Sequence, residues 1–268
     1  MKRSVGALSL LALIAALVAV GTAGASQHVA SPVKGSFKYC SDPTFPPMES
    51  TTAAGKPVGF DIEMANAIAA LWKVKAKFVQ TAFPGLLPGL GSKKCNMVIS
   101  GIFVTPDRVK QFPAVSYMRS HRALVVQAGN PKRIKGPNDL SGKNVAVQAG
   151  TKYEEYLKTL NEQFKSSGRS QMSLQSYPGD TDAVGQLLVG RADAVLTQDT
   201  SGAFQKKQHP GKLAIAYQFP ESDAFGIYYR KSDGKLGTAL RSAIKTLKKN
   251  GKLGKIAKKF EIPVSNVK

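Results

Sequence analysis

The sequence predicts an α/β protein composed of two similar lobes. Short apolar runs of strand length alternate with segments of helical periodicity over most of the chain. The alternation occurs twice, and a turn-rich stretch, Gly129-Asn130-Pro131, separates the two series. Strands that alternate with helices favour parallel sheets built from βαβ units.

The first series contains strands at 36–40, 74–79 and 97–100 and helices at 61–72 and 84–90. The first helix is predicted from an apolar stripe formed by Met64, Ile68, Leu71 and Trp72. An extended segment at 123–127 leads out of this series.

The second series contains strands at 143–148, 172–177 and 192–196 and helices at 152–164 and 181–189. An extended segment at 224–230 then leads to two C-terminal helices, which are broken at Asn250-Gly251. The chain is thus expected to cross between the lobes near 124–128 and 220–225. These crossings assign 26–124 and 224–268 to lobe one and 125–223 to lobe two.

The N-terminus has the features of a secretory signal peptide covering residues 1–25. Lys2 and Arg3 precede an apolar run at 8–20, and Ala23-Gly24-Ala25 is a small-residue cleavage site. A membrane anchor is the alternative, but the run is short for a span. We therefore expect an exported, soluble chain of about 243 residues.

The two cysteines, Cys40 and Cys95, are expected to form a disulfide. Export places them in an oxidising compartment, and each lies beside a predicted strand. A metal site is a poor alternative, because His28, His121 and His209 are scattered without ligand spacing.

The chain is strongly basic, with a formal net charge of +21. Such a charge is compatible with nucleic acid, an anionic membrane or acidic ligands. The basic residues are densest at 241–259, where they occupy the polar faces of two amphipathic helices. No aromatic interleaving or nucleic-acid motif accompanies them, which favours a solvated face over a nucleic-acid surface.

Residues 96–108 contain the clearest candidate binding feature. A short strand, Met97-Val98-Ile99, runs into Ser100-Gly101, and Thr105-Pro106 then opens a helix that carries Arg108. Ligands of open α/β sheets sit at the C-terminal ends of strands. The planar guanidinium matches a carboxylate, although a solvated helix residue is the alternative interpretation.

Over residues 36–262 the chain resembles the family 3 extracellular solute-binding proteins, which are the amino-acid-binding receptors of ABC importers. The resemblance is carried by the order and spacing of Ser-Asp-Pro-Thr-Phe-Pro-Pro (41–47), Gly-Phe-Asp-Ile-Glu-Met-Ala (59–65), Phe-Pro-Gly-Leu-Leu-Pro-Gly-Leu (83–90), Ile-Ser-Gly-Ile-Phe-Val-Thr-Pro-Asp-Arg (99–108), Asp-Leu-Ser-Gly-Lys-Asn-Val-Ala-Val-Gln-Ala-Gly-Thr (139–151) and Gly-Arg-Ala-Asp-Ala-Val-Leu (190–196).

The resemblance implies a two-lobed type II periplasmic-binding fold with the ligand in the cleft. It also implies a periplasmic monomer that delivers its ligand to the transmembrane subunits of an ABC permease, without a cofactor. Arg108 and Gly150-Thr151 would hold the ligand's α-carboxylate, and the helix opened by Thr151 favours an anion at its N-terminus.

The resemblance further assigns residues to the rest of the ligand. A carbonyl near Ser100-Gly101 and an acid after the last strand of lobe two would hold the α-ammonium. Phe45 and Phe83 would flank the ligand side chain. Asp42 would contact the polar end of that side chain. Alternatively, both phenylalanines are core residues and Asp42 caps a turn. Asp61 is expected to be a helix N-cap outside the site.

Two positions depart from the family pattern. Phe103 replaces a Ser or Thr whose hydroxyl helps to bind the ammonium. A gapless alignment from Asp193 puts Gln198 at the position of the expected acid, whereas one inserted residue would put Asp199 there. If Gln198 takes that place, the ligand is not a standard α-amino acid, because a buried ammonium needs a counter-charge.

Two other functions are compatible with the sequence. One is a dehydratase-like cleft enzyme acting on a small carboxylic acid, with Glu154 or Glu155 as its base. The other is a basic scaffold that binds anionic polymers.

Overall fold

The structure is a computed structural model that describes residues 31–268. The predicted signal peptide at 1–25 lies outside the described residues. Within 31–268, no helix combines the length and the apolar character needed to span a bilayer.

Eleven strands and eight α-helices form the described part of the chain. The strands are β1 (Ser36–Ser41), β2 (Thr44–Phe45), β3 (Glu49–Thr51), β4 (Pro57–Val58), β5 (Lys75–Gln80), β6 (Met97–Val98), β7 (Ala114–Gln127), β8 (Asn144–Gln148), β9 (Ser173–Tyr177), β10 (Ala194–Gln198) and β11 (Leu213–Tyr229). The helices are α1 (Phe60–Trp72), α2 (Leu86–Gly91), α3 (Pro106–Gln111), α4 (Lys152–Ser166), α5 (Asp180–Leu188), α6 (Asp199–Gln208), α7 (Gly234–Lys249) and α8 (Lys252–Lys259).

The main sheet has the strand order β5-β1-β6-β11-β7-β10-β8-β9. At one end β1 pairs in parallel with β5 and β6, and at the other end β8 pairs in parallel with β9 and β10. The predicted α/β alternation of strands and helices is therefore present in both halves. The short strands β2, β3 and β4 form a separate antiparallel sheet that was not predicted.

Two long strands, β7 and β11, connect the halves. They pair in antiparallel fashion from Leu213 with Gln127 to Tyr228 with Ala114. Near one end β11 pairs with β6, and near the other β7 pairs with β10. The predicted extended segments at 123–127 and 224–230 are only the ends of these strands. The predicted lobe boundaries at 124/125 and 223/224 fall inside them and stay a prediction.

The expected disulfide is confirmed. Cys40 on β1 and Cys95 just before β6 are bonded, with their Cα atoms 5.7 Å apart. Their strands are neighbours in the sheet, where Cys40 pairs with Val98. Leu86 and Leu90 of α2 pack in the same buried cluster, so the bond ties the helix–loop connection to the sheet.

The C-terminal helices are amphipathic, as predicted. Leu240, Leu247 and Ile256 are buried in the main core, whereas the lysines of α7 and α8 are exposed. The helices are separated at Gly251, which has a φ of 72° that favours glycine.

Candidate functional site

A cavity between the two halves of the molecule brings together six of the predicted ligand-binding residues. The space there that no protein atom fills measures about 260 Å³, and this figure includes open solvent at the mouth of the cavity. Its lining consists of Phe45, Phe83, Gly101, Phe103, Arg108, Gln148, Thr151, Lys152 and Tyr153. The first five belong to the half that contains β1, and the others to the end of β8 and the start of α4.

Arg108 is placed in the cavity by the start of α3. Thr105 is the N-cap, and its hydroxyl accepts the Arg108 backbone N–H at 3.4 Å, as the Thr-Pro motif predicts. Its guanidinium donates long hydrogen bonds to the carbonyl oxygens of Phe103 (3.3 Å) and Gly150 (3.4 Å). Gly150 thus lies beside the cavity, although it does not line it.

Within residues 31–268, the guanidinium of Arg108 has no ionic partner. Among the described residues, no carboxylate lies within 4.0 Å of it. Burial lowers the pKa of Arg108, because a buried guanidinium loses part of its hydration. An anion that entered the cavity would restore the lost stabilisation.

The N-terminus of α4 faces the same cavity. The Thr151 hydroxyl accepts the Glu154 N–H at 3.2 Å and donates to the Gln148 carbonyl at 2.7 Å. Within the described residues, the backbone N–H groups of Thr151, Lys152 and Tyr153 have no protein acceptor. These groups and the helix dipole favour an anion at this point.

Asp42 and Ser100 support the cavity without lining it. Asp42 Oδ2 accepts hydrogen bonds from the Phe83 N–H and from Gln148 Nε2, both at 2.9 Å. Ser100 Oγ accepts the Asp42 N–H and donates to Glu49 Oε1, each at 2.9 Å. Burial raises the pKa of Asp42, although its hydrogen bonds act in the opposite direction.

The expectation that Asp61 caps α1 is wrong. The N-cap is Gly59, where a Cβ atom would lie 2.2 Å from the Met48 carbonyl oxygen, so a capping side chain has no room. Asp61 instead points inward and accepts hydrogen bonds from the Gly101 N–H (2.7 Å) and the Tyr117 hydroxyl (2.8 Å). It therefore supports the glycine that lines the cavity.

Neither of the two residues predicted at the position of the family's acid, Gln198 and Asp199, lines the cavity. Gln198, the last residue of β10, is fully buried and accepts a hydrogen bond from the Tyr153 hydroxyl. Asp199 bonds to Ser120 Oγ and to Gln218 Nε2 on the two connecting strands. Gln198 thus touches a lining residue, whereas Asp199 is engaged elsewhere.

Sequence reasoning missed three lining residues, Gln148, Lys152 and Tyr153. They flank Gly150-Thr151 at the end of β8 and in the first turn of α4. The sequence could have indicated them through their position next to Gly150-Thr151, because the end of a strand and the start of the following helix lie at the same edge of a sheet. Within 31–268 no group of three or more His, Cys, Asp or Glu residues is arranged to hold a metal.

Residues 37–262 match the bacterial extracellular solute-binding proteins, family 3. The chain belongs to this family. The lysine/arginine/ornithine-binding periplasmic protein of Escherichia coli K12 is 31% identical to it over 270 residues, and the match covers 97% of each chain.

Solved structures show the same fold. An ancestral arginine-binding protein bound to arginine is 33% identical, with a TM-score of 0.78 over 85% of this chain and 98% of that one. The ancestral amino acid-binding protein AncCDT-1, a precursor of cyclohexadienyl dehydratase, is 28% identical, with a TM-score of 0.77 over 84% and 95% of the two chains. The predicted two-lobed periplasmic-binding fold is therefore confirmed, and the chain is a receptor for an extracytoplasmic solute.

Proposed function

We propose that this receptor binds a small carboxylate-bearing solute, an amino acid or a related acid, and delivers it to an ABC permease. The curated relative named above binds amino acids in the periplasm. We also propose that the chain is exported to the periplasm by cleavage after residue 25 and acts there as a monomer.

The observation that carries this proposal is the partly desolvated guanidinium of Arg108, which lies opposite the N-terminus of α4 and has no carboxylate partner in the described part of the chain. A carboxylate between them would accept the guanidinium fork on one side and the Thr151 N–H on the other. Because the two donors come from different halves, the same anion would hold the halves together.

Glu154, one candidate catalytic base, has another role. Its carboxylate accepts the Gly150 N–H at 2.7 Å and the Ser176 hydroxyl at 2.8 Å, and it pairs with Lys158. Burial acts to raise its pKa, but these hydrogen bonds outweigh burial, and the pKa is lowered. Glu155 pairs with Lys152. We propose binding without turnover, because a base needs a free carboxylate beside the substrate.

Isothermal titration calorimetry on Arg108→Ala tests the proposal. The probe is the tightest binder from a panel of amino acids and their amine-free acids. We expect the binding free energy to weaken by about 2–5 kcal/mol, because the ligand's carboxylate would still be desolvated on binding but would lack its counter-charge. Arg108→Lys should restore little, because an ammonium lacks the planar fork.

The matched control is Arg191→Ala, since Arg191 is exposed and lies outside the cavity. It should bind the probe as tightly as the parent. An Arg108→Ala variant that is folded and binds with parental affinity would show that the carboxylate assignment is wrong.

A further inference from the structure

We infer that α7 and α8 form a docking face for an anionic lipid surface. This basic face consists of the exposed side chains of Lys235, Arg241, Lys245, Lys248, Lys249, Lys252, Lys255, Lys258 and Lys259. The inference goes beyond the binding of a solute, because none of the residues that line the cavity lies on these two helices. A receptor held in this way at a membrane would keep its cleft free for the solute.

The first argument is the concentration of charge on these helices. Residues 234–259 contain nine Lys and Arg residues and no Asp or Glu, and all nine are exposed. Without Lys2 and Arg3, the chain has 36 basic and 17 acidic residues, a net charge of +19. Nearly half of that charge therefore lies on α7 and α8. Such a concentration of one sign creates a local potential that attracts anionic surfaces.

The second argument is that most of these charges are not neutralised within the molecule. Lys259 pairs with Glu63 at 2.7 Å, and Lys248 Nζ donates to the Lys268 carbonyl oxygen at 3.2 Å. Within residues 31–268, the other seven basic side chains have no carboxylate within 4.0 Å. The acids beside the helix ends are engaged with basic residues outside the face, in the pairs Asp233–Arg230 and Glu261–Lys207.

The third argument is that the pattern of charge opposes the stability of the helices that carry it. Arg241, Lys245 and Lys249 follow one another at intervals of four residues along α7, and like charges at this spacing repel each other. Lys235 and Lys252 lie in the first turns of α7 and α8, where the helix dipole disfavours cations and where no acid offsets them. An anionic surface would relieve this repulsion, which indicates a role for the face outside the folded chain.

The composition of the basic face favours lipid over an acidic protein. Eight of its nine members are lysines, which are depleted in protein interfaces, whereas Arg and aromatic residues are enriched there. The exposed large apolar residues of the described chain are Val109, Val189 and Ile215, and none of them lies on α7 or α8. Lysines are hydrated point charges on flexible stems. A face of such residues without an apolar centre suits a fluid layer of anionic headgroups.

Flotation with lipid vesicles tests the inference on the unmodified protein. Vesicles of phosphatidylcholine alone are compared with vesicles that contain about 30% phosphatidylglycerol, at low salt. We expect the association constant to be about tenfold higher or more with the anionic lipid, because each lysine near the surface adds to the attraction. In about 0.5 M NaCl the two kinds of vesicle should bind equally, because salt screens the charges. Equal binding at low salt, or binding to neither, would overturn the inference.

The double variant Lys245→Glu, Lys249→Glu assigns the binding to the basic face. It should bind the anionic vesicles about tenfold more weakly or worse, and it should unfold at the parental temperature or above, because repulsion along α7 is removed. The matched control is Lys135→Glu, Lys165→Glu. It changes the net charge by the same amount at exposed positions that have no salt bridge within 31–268. Equal losses in the two variants would show that net charge alone drives binding, which would overturn the assignment.

Immobilised heparin distinguishes a lipid surface from a soluble polyanion. Retention on heparin without binding to anionic vesicles would assign the basic face to a polyanionic chain and would overturn the inference. The result is read separately from the test of the proposed function, because Arg108→Ala removes no residue of the basic face. We expect Arg108→Ala to bind the anionic vesicles like the parent, whatever its affinity for the solute.

Discussion

At the scale of single residues, we expect two acids behind the cleft, Glu49 and Asp61, to share one proton. Glu49 and Asp61 are fully buried, and each carboxyl affects the pKa of the other. Among the described residues, Glu49 Oε2 and Asp61 Oδ1 have no hydrogen-bond partner. Burial, and for Glu49 also the charge of Asp61, raises both pKa values, that of Asp61 to about 6. A proton between the two oxygens satisfies both atoms.

This pair predicts a pH-dependent stability. A raised folded-state pKa means that the native chain binds more protons than the unfolded chain, so the free energy of unfolding falls as pH rises from about 4 through the folded pKa values. Glu49→Gln keeps a donor between the two side chains and does not titrate. When the pH rises from about 5 to 8, the free energy of unfolding should fall by about 1–3 kcal/mol less in the variant than in the parent. Urea unfolding at a series of pH values measures the difference.

Glu162→Gln is the control for this prediction, because Glu162 is exposed and its pH profile should follow the parent. Identical profiles for the parent and Glu49→Gln would show that the pair does not share a proton in the folded state.

Local motifs predicted the residues that line the cleft better than the residues that support it. Arg108 and Thr151 were identifiable because a helix N-cap follows each strand end. Asp61 was misread because the close approach of Gly59 to Met48 is a contact between two loops that leaves no local pattern. The choice between Gln198 and Asp199 could not be made either, since a shift of one residue reverses the direction of a side chain.

At the scale of elements, β7 and β11 were predicted too short. Their unpredicted halves carry polar residues such as Arg119, Ser120 and Asp223, which interrupt the apolar pattern that marks a buried strand. These residues bond across the connection, where Arg119 Nε donates to Ser222 Oγ at 2.9 Å. A strand that is stabilised by backbone hydrogen bonds to its neighbour and by polar side chains shows little of the hydrophobic periodicity by which strands are predicted.

The disulfide gives a prediction for β1 and β6. It closes a loop of 55 residues, and the paired Cys40→Ala, Cys95→Ala variant should lower the free energy of unfolding by about 2–4 kcal/mol. Urea unfolding of oxidised and reduced parent protein measures the same difference. Two free thiols in protein isolated from the periplasm, found by mass spectrometry without reduction, would contradict the assignment.

At the scale of the whole molecule, the two halves touch across the cleft. Gln148 bonds to Asp42, and a Cβ atom on Gly150 would lie 3.1 Å from Pro84. We expect ligand to favour this closed arrangement, with β7 and β11 bending, because only the closed state lets both halves contact the anion.

Small-angle X-ray scattering measures this closure. The radius of gyration should fall when the tightest panel ligand is added at saturation, and Arg108→Ala at the same ligand concentration should show no change. An unchanged radius for the parent at full occupancy would count against closure about the two long strands.

The carboxylate clamp itself is tested most directly by a crystal structure of protein purified without refolding, with its co-purified or panel ligand bound. We predict one carboxylate group within hydrogen-bond distance of both the Arg108 guanidinium and the Thr151 backbone N–H. A ligand that occupies the cleft and places no anionic group between these two donors would contradict the account.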